Sequence, residues 1–139
     1  MKKYLSRGLA ALLLLVFSCS LSIPANASVY SSDYLYTYSA TLSPQGNGVM
    51  KISYTVIATD VLKELGVSKI VVEKKVGNSW IEAKTFTNDD YPELSTTSSN
   101  VCKEHILYNG VAGTEYRAKV TVFGNTDYRT FTTTSKRAT

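Results

Sequence analysis

From residue 34 onward the chain alternates. Tyr34, Tyr36, Tyr38, Ala40 and Leu42 fall on every second position with Thr37, Ser39 and Thr41 between them, the period-two pattern of a strand with one face turned to a core. Pro44-Gln45-Gly46-Asn47-Gly48 is a turn by composition, and Met50, Ile52, Tyr54, Val56 and Ala58 then alternate with Lys51, Ser53, Thr55 and Thr59. Asp60 to Gly66 interrupts the alternation. Leu62 and Leu65 lie three apart, Asp60 stands where an N-cap would and Gly66 where a helix stops, which predicts one short helical turn over 60–66 between two sheets.

Ile70, Val72 and Val76 mark a third strand, Gly77-Asn78-Ser79 a turn, and Trp80 to Phe86 a fourth strand with the weaker alternation of an edge. Thr87 to Asn100, with Asn88-Asp89-Asp90 and Pro92, carries chain breakers and is expected to be the longest irregular segment. Strands over Val101–Tyr108, Tyr116–Val122 and Tyr128–Thr134 follow, and 135–139 is expected to form a disordered polar tail. The pattern predicts an all-β domain over 34–134, a seven-stranded antiparallel two-sheet sandwich. Its inward set is expected to be Leu42, Met50, Ile52, Tyr54, Val56, Ile70, Val72, Trp80, Leu107, Tyr116, Ala118, Val120, Val122 and Phe131.

The N-terminus has a different character. Lys2, Lys3 and Arg7 precede an apolar run from Leu9 to Phe17, and Ala25 and Ala27 place small side chains before a cut after Ala27. This predicts a secretory signal peptide over 1–27 and a polar lead-in over 28–33. The run is far shorter than the roughly 20 residues a membrane-spanning helix needs, so no membrane span is expected in the mature form. Val16-Phe17-Ser18-Cys19 resembles a bacterial lipobox, which gives the alternative of a lipid-anchored surface protein beginning at Cys19, although Phe17 departs from that pattern. The leader carries three of the 15 Lys+Arg and none of the 11 Asp+Glu, so the mature chain is close to neutral and offers no basic patch for nucleic acid. Only Cys102 survives cleavage, and the fold must stand without an intrachain disulfide.

Leu107 followed by Gly113-Thr114-Glu115-Tyr116-Arg117-Ala118-Lys119-Val120-Thr121-Val122 resembles the stretch of fibronectin type III and immunoglobulin-like domains that leads into their sixth strand. The resemblance implies a tyrosine corner, with the Tyr116 hydroxyl bonded to backbone upstream. Ile70 to Lys74 and Gly77 to Trp80 likewise look like the third and fourth strands of such modules. Tyr54 stands where they carry a core tryptophan, and 60–66 is an insertion relative to them. Taken whole, the chain also resembles small secreted single-domain proteins of Gram-positive bacteria, a group that implies no activity.

The candidate chemistry is sparse. Cys102, Glu104 and His105 lie close in sequence, but three residues along a strand put the thiol and the imidazole on opposite faces, where they share no proton. No Gly-x-Ser-x-Gly elbow, phosphate loop, zinc-type spacing or His-Glu-x-x-His occurs. Asp89, Asp90 and Glu93 offer oxygens for Ca²⁺ without the alternating ligands of an EF-hand, so a solvated turn is the plainer reading and no metal or other cofactor is expected. Ten tyrosines are the compositional oddity. Tyr34, Tyr36 and Tyr128, with Tyr30 and Tyr38, form either a recognition surface or a cover for the edge of the core. The expected function is that of a secreted, non-enzymatic module of the bacterial cell surface, binding a protein or cell-wall glycan through loops or an edge strand. The alternative is a secreted enzyme or inhibitor acting through the 87–100 loop.

Overall fold

The computed structural model describes residues 33–139. The leader, Cys19, Tyr30 and the lead-in as far as residue 32 lie outside the described residues. Seven strands form: β1 (Leu35–Gly46), β2 (Val49–Val76), β3 (Ser79–Thr87), β4 (Ser95–Asn109), β5 (Glu115–Gly124), β6 (Asp127–Thr132) and β7 (Lys136–Arg137), with one 3-10 turn at Pro92–Leu94 before β4. No helix of the described residues is long and apolar enough to cross a membrane.

The architecture follows from β2. Its first part is flanked by β1 and β4, and its last part by β5 and β3, all antiparallel. β6 and β7 pair in turn with β5. One antiparallel sheet therefore curls on itself, with β2 running through both layers. Even-numbered positions from Met50 to Ala58 are buried in the first layer, and Ile70 and Val72 in the second. They join Leu42, Ala118, Val120 and Val122 in one apolar cluster. Each large side chain of that cluster contributes about 1.5–3 kcal/mol of transfer free energy.

Between the layers β2 stays extended, which corrects the helical turn expected over 60–66. Against β4, Ile57 pairs with Val101 and Leu62 with Ser99, so Ala58 to Val61 face only Asn100. Against β5, Val67 pairs with Val122 and Lys69 with Thr121, leaving Ser68 unmatched. Such bulges shift the inward parity, so Leu62, Leu65, Val67 and Ile70 all reach the core. The three-residue step from Leu62 to Leu65 is therefore produced by irregular pairing. A single helical turn closes few of its own hydrogen bonds, whereas Leu65 and Gly66 find ladder partners on both edges. Asn125, in the β5–β6 turn, fastens this bend: its N–H donates to the Glu64 carbonyl at 2.9 Å, and its Oδ1 accepts from the Glu64 N–H at 3.3 Å. Gly66 has φ +150°, and a Cβ there would stand 2.5 Å from the Leu94 carbonyl oxygen and from the Ser95 Cα. Only a residue without a side chain fits.

Four further expectations change. The segment Thr87–Asn100 is only partly irregular, because Ser95 to Asn100 belong to β4. Trp80 pairs with Lys75 and is half-buried beneath the Arg117 guanidinium, 4.4 Å from its ring centre, so it lies outside the core. Leu107 is 53% exposed and its neighbour Ile106 is buried instead, a one-residue shift that exchanges the faces of a strand. The tail is ordered. Lys136 and Arg137 pair with β5, Ala138 is buried, and the Ala138 and Thr139 carbonyls accept from Gly113 and Gly48 at 2.8 Å each. Glu115 holds it further, its carboxyl kept below the usual range by a hydrogen bond from Ser135, then by Lys75 and Arg137.

Leu65→Ala is expected to lower the unfolding free energy by about 2–5 kcal/mol, and Gly66→Ala to be destabilising as well, because backbone atoms oppose its methyl. Val61→Ala, at an exposed position of the same bend, is expected to stay within about 0.5 kcal/mol. Denaturant titrations of the three variants check the difference, and equal small losses would contradict an extended, doubly packed bend.

Candidate functional site

The tyrosines separate by position. Leu35 pairs with Ala58 and Thr37 with Ile57, so Tyr36 sits in a bulge without a cross-strand partner and is 75% exposed. The bulge also turns Leu35 inward and sets Tyr38, Ala40 and Leu42 on the inner face. Tyr38 packs on Phe131 with ring centres 5.3 Å apart, bridging β1 and β6 at the edge of the core. Tyr128 is 54% exposed and stacks on buried Phe123 at 5.6 Å. Tyr34 borders the same hairpin end, since a Cβ on Gly124 would come within 3.4 Å of the Tyr34 Cβ. Tyr34 and Tyr128 thus meet the end of the β5–β6 hairpin, while Tyr36 projects from the start of β1.

β1 is also an open edge. From Tyr36 to Gly46 it pairs with β2 alone among the described residues, and Thr37 to Pro44 keep an unbroken register. The other outer strands carry charges along their length: Glu82 and Lys84 on β3, Lys103 and Glu104 on β4, Asp127 and Arg129 on β6. Charges of this kind protect an edge against pairing with another chain. β1 carries none.

The thiol and the imidazole take opposite sides of β4. Cys102 pairs with Val56 and is 4% exposed, its sulfur 3.8 Å from the Leu94 carbonyl, while His105 pairs with Ser53 and is exposed. Burial, and then the charge of Glu104, push the Cys102 thiol up to about 11. Beside it the buried Tyr54 hydroxyl donates to the Glu93 carbonyl at 3.2 Å, and burial raises it far above the ordinary tyrosine value. Asp90 accepts from the Thr87 hydroxyl at 3.0 Å, which ties the loop back on itself. Among the described residues no group of three or more His, Cys, Asp or Glu side chains is placed to hold a metal ion.

On the outer face of the first layer Ser39, Thr41, Ser53, Thr55, Lys51, Lys103 and His105 line an open groove of about 460 Å³. Apart from His105, these residues appear in sequence only as the solvent side of three strands. What brings them together is the placement of β4 beside β2, which alternation does not encode.

No family model and no curated protein matches the chain. Among solved structures, a family 76 glycoside hydrolase from a bovine Bacteroides thetaiotaomicron strain is similar at 13% identity and a TM-score of 0.33, over 76% of this chain and 21% of that one. The chain thus spans about a fifth of that protein, and a likeness this weak bears on neither fold detail nor activity.

Because the raised thiol is neutral in the fold, Cys102 is expected to resist alkylation at pH 8 and to react at the rate of global unfolding. It stabilises the fold fully below its ordinary value of 9.0, and that contribution is lost as pH climbs from there through about 11. Cys102→Ser is expected to flatten the alkaline fall in stability, and a thiol that reacts rapidly in the native protein would contradict this placement.

Proposed function

We propose that the chain is a small exported, non-enzymatic binding module of immunoglobulin or fibronectin III-like build that takes an extended segment of a partner protein along the free edge of β1. The observation that carries this reading is the contrast among the edges: β1 alone is long and free of charged residues, and it keeps an unbroken register from Thr37 to Pro44, between bulges at its two ends. Main-chain hydrogen bonds from an added strand would supply affinity, and the neighbouring tyrosines would supply contact area at low entropic cost. The immunoglobulin-like build is supported by Tyr116, which is buried and whose hydroxyl accepts from the Val111 N–H at 2.9 Å, with its ring edge-on to Tyr108. The non-enzymatic reading is supported by the placement of Cys102 and His105 on opposite faces. Export rests on the leader sequence.

Lysines on an edge strand oppose pairing. Immobilised residues 28–139 are expected to retain a polypeptide from the envelope of the producing cell. Tyr36→Lys combined with Thr37→Lys is expected to cut that retention at least tenfold, about 1.4 kcal/mol. Val76→Lys, on an exposed site elsewhere, leaves it unchanged. Equal retention by wild type and the β1 variant would remove β1 as the docking edge.

A further inference from the structure

We propose that the groove on the outer face of β1, β2 and β4 is a binding site for an acidic polysaccharide. This goes beyond the strand-addition reading and does not rest on it, since the groove uses side chains of a sheet face and not the backbone of an edge.

The register builds the site in rows. Ser39, Thr55 and Lys103 lie across from one another, then Thr41, Ser53 and His105, then Ser43, Lys51 and Leu107. Lys103 and His105 are two residues apart on β4, about 7 Å at the strand rise. Lys51 is the diagonal neighbour of His105 at a similar spacing. A lysine therefore stands at each end of a diagonal with an imidazole between them. Neither lysine makes an ion pair among the described residues, whereas Arg117, Lys119 and Arg129 on the other layer do. Glu104, at a strand position belonging to the opposite face, is the one carboxylate bordering the groove.

Charge and spacing select the ligand. Two ammonium groups without partners, held over a groove open to water, call for anionic groups. Placed two steps of about 7 Å apart they serve successive groups on a chain, since a single small anion would need both within hydrogen-bond range. Between them the floor is made of hydroxyls, which both donate and accept, as the hydroxyls of a sugar require. Among the described residues the His105 imidazole is the one aromatic ring at a strand position facing the groove, and Tyr54, which also borders it, is buried in the core. One ring does not give the succession of stacking platforms that a single-stranded nucleic acid uses.

The test uses residues 28–139 with polygalacturonate and dextran sulfate as acidic probes, dextran as the neutral one and poly-glutamate as an acidic polypeptide, in calorimetric titrations. The expected result is binding of at least one acidic polysaccharide, weakening with added salt, with no binding of dextran and weaker binding of poly-glutamate at matched charge. Lys51→Gln with Lys103→Gln is expected to reduce the affinity at least tenfold. Ser53→Ala with Thr55→Ala is expected to reduce it severalfold. Lys69→Gln with Lys84→Gln, exposed lysines off this face, is expected to leave it unchanged. Failure of both acidic polysaccharides to bind, poly-glutamate bound as tightly as they are, or an affinity that Lys51→Gln with Lys103→Gln leaves intact would each overturn the proposal. Tyr36→Lys with Thr37→Lys separates the two surfaces, because it should not weaken polysaccharide binding even where it abolishes capture of a polypeptide.

Discussion

The whole structure depends on β2 turning a corner without leaving the sheet. An extended chain that bends must still satisfy every backbone N–H and C=O, and β2 does so by taking β4 and β5 as ladder partners at the bend, around Leu65 and Gly66. Leu62, Leu65 and Val67 are buried there, and Gly66 makes room for the backbone of Leu94 and Ser95. The two layers are therefore covalently and cooperatively one object. Sliding one layer against the other would break the Asn125 clamp on Glu64 and the packing of the bend together.

That constraint decides which surfaces remain for function. Curling the sheet inward uses one face of each layer for the core, and leaves the hydroxyl-lined groove outside the first layer and the Trp80–Arg117–Glu73 stack outside the second. It also leaves β1 at an open edge. On the second layer Glu73 gathers two of the outer cations, Arg117 at 2.6 Å and Lys119 at 3.7 Å. The first layer leaves Lys51 and Lys103 without such partners, so the two outer faces differ in what they can attract.

Much of this was legible in the residues. Alternation from Met50 to Ala58 and from Tyr116 to Val122 identifies buried strands without ambiguity, and an all-β class follows. The departures along β1 and β2 share one physical origin, which is irregular pairing. A bulge at Tyr36 and others in the bend of β2 shift parity by one, so that Leu35 turns inward and Leu62 and Leu65 imitate a helical turn. Trp80 and Leu107 are large and apolar and so read as inward, but register places them outside, where cations and neighbouring chain cover part of Trp80. The tail looks disordered by composition because its anchors are backbone hydrogen bonds to Gly48 and Gly113, which composition does not record. The groove was hidden for a different reason: its residues are ordinary solvent-side positions until the pairing of β2 with β4 sets them in rows.

Native-state hydrogen exchange along β2 tests the account most directly. If the bend makes the layers one cooperative unit, the slowest amides of the first part, around Ile52 and Tyr54, and those of the second, around Ile70 and Val72, exchange with a single free energy equal to that of global unfolding. Exchange of one part at a distinctly lower free energy, while the other stays protected, would show that the layers open separately and that the bend of β2 does not hold them together.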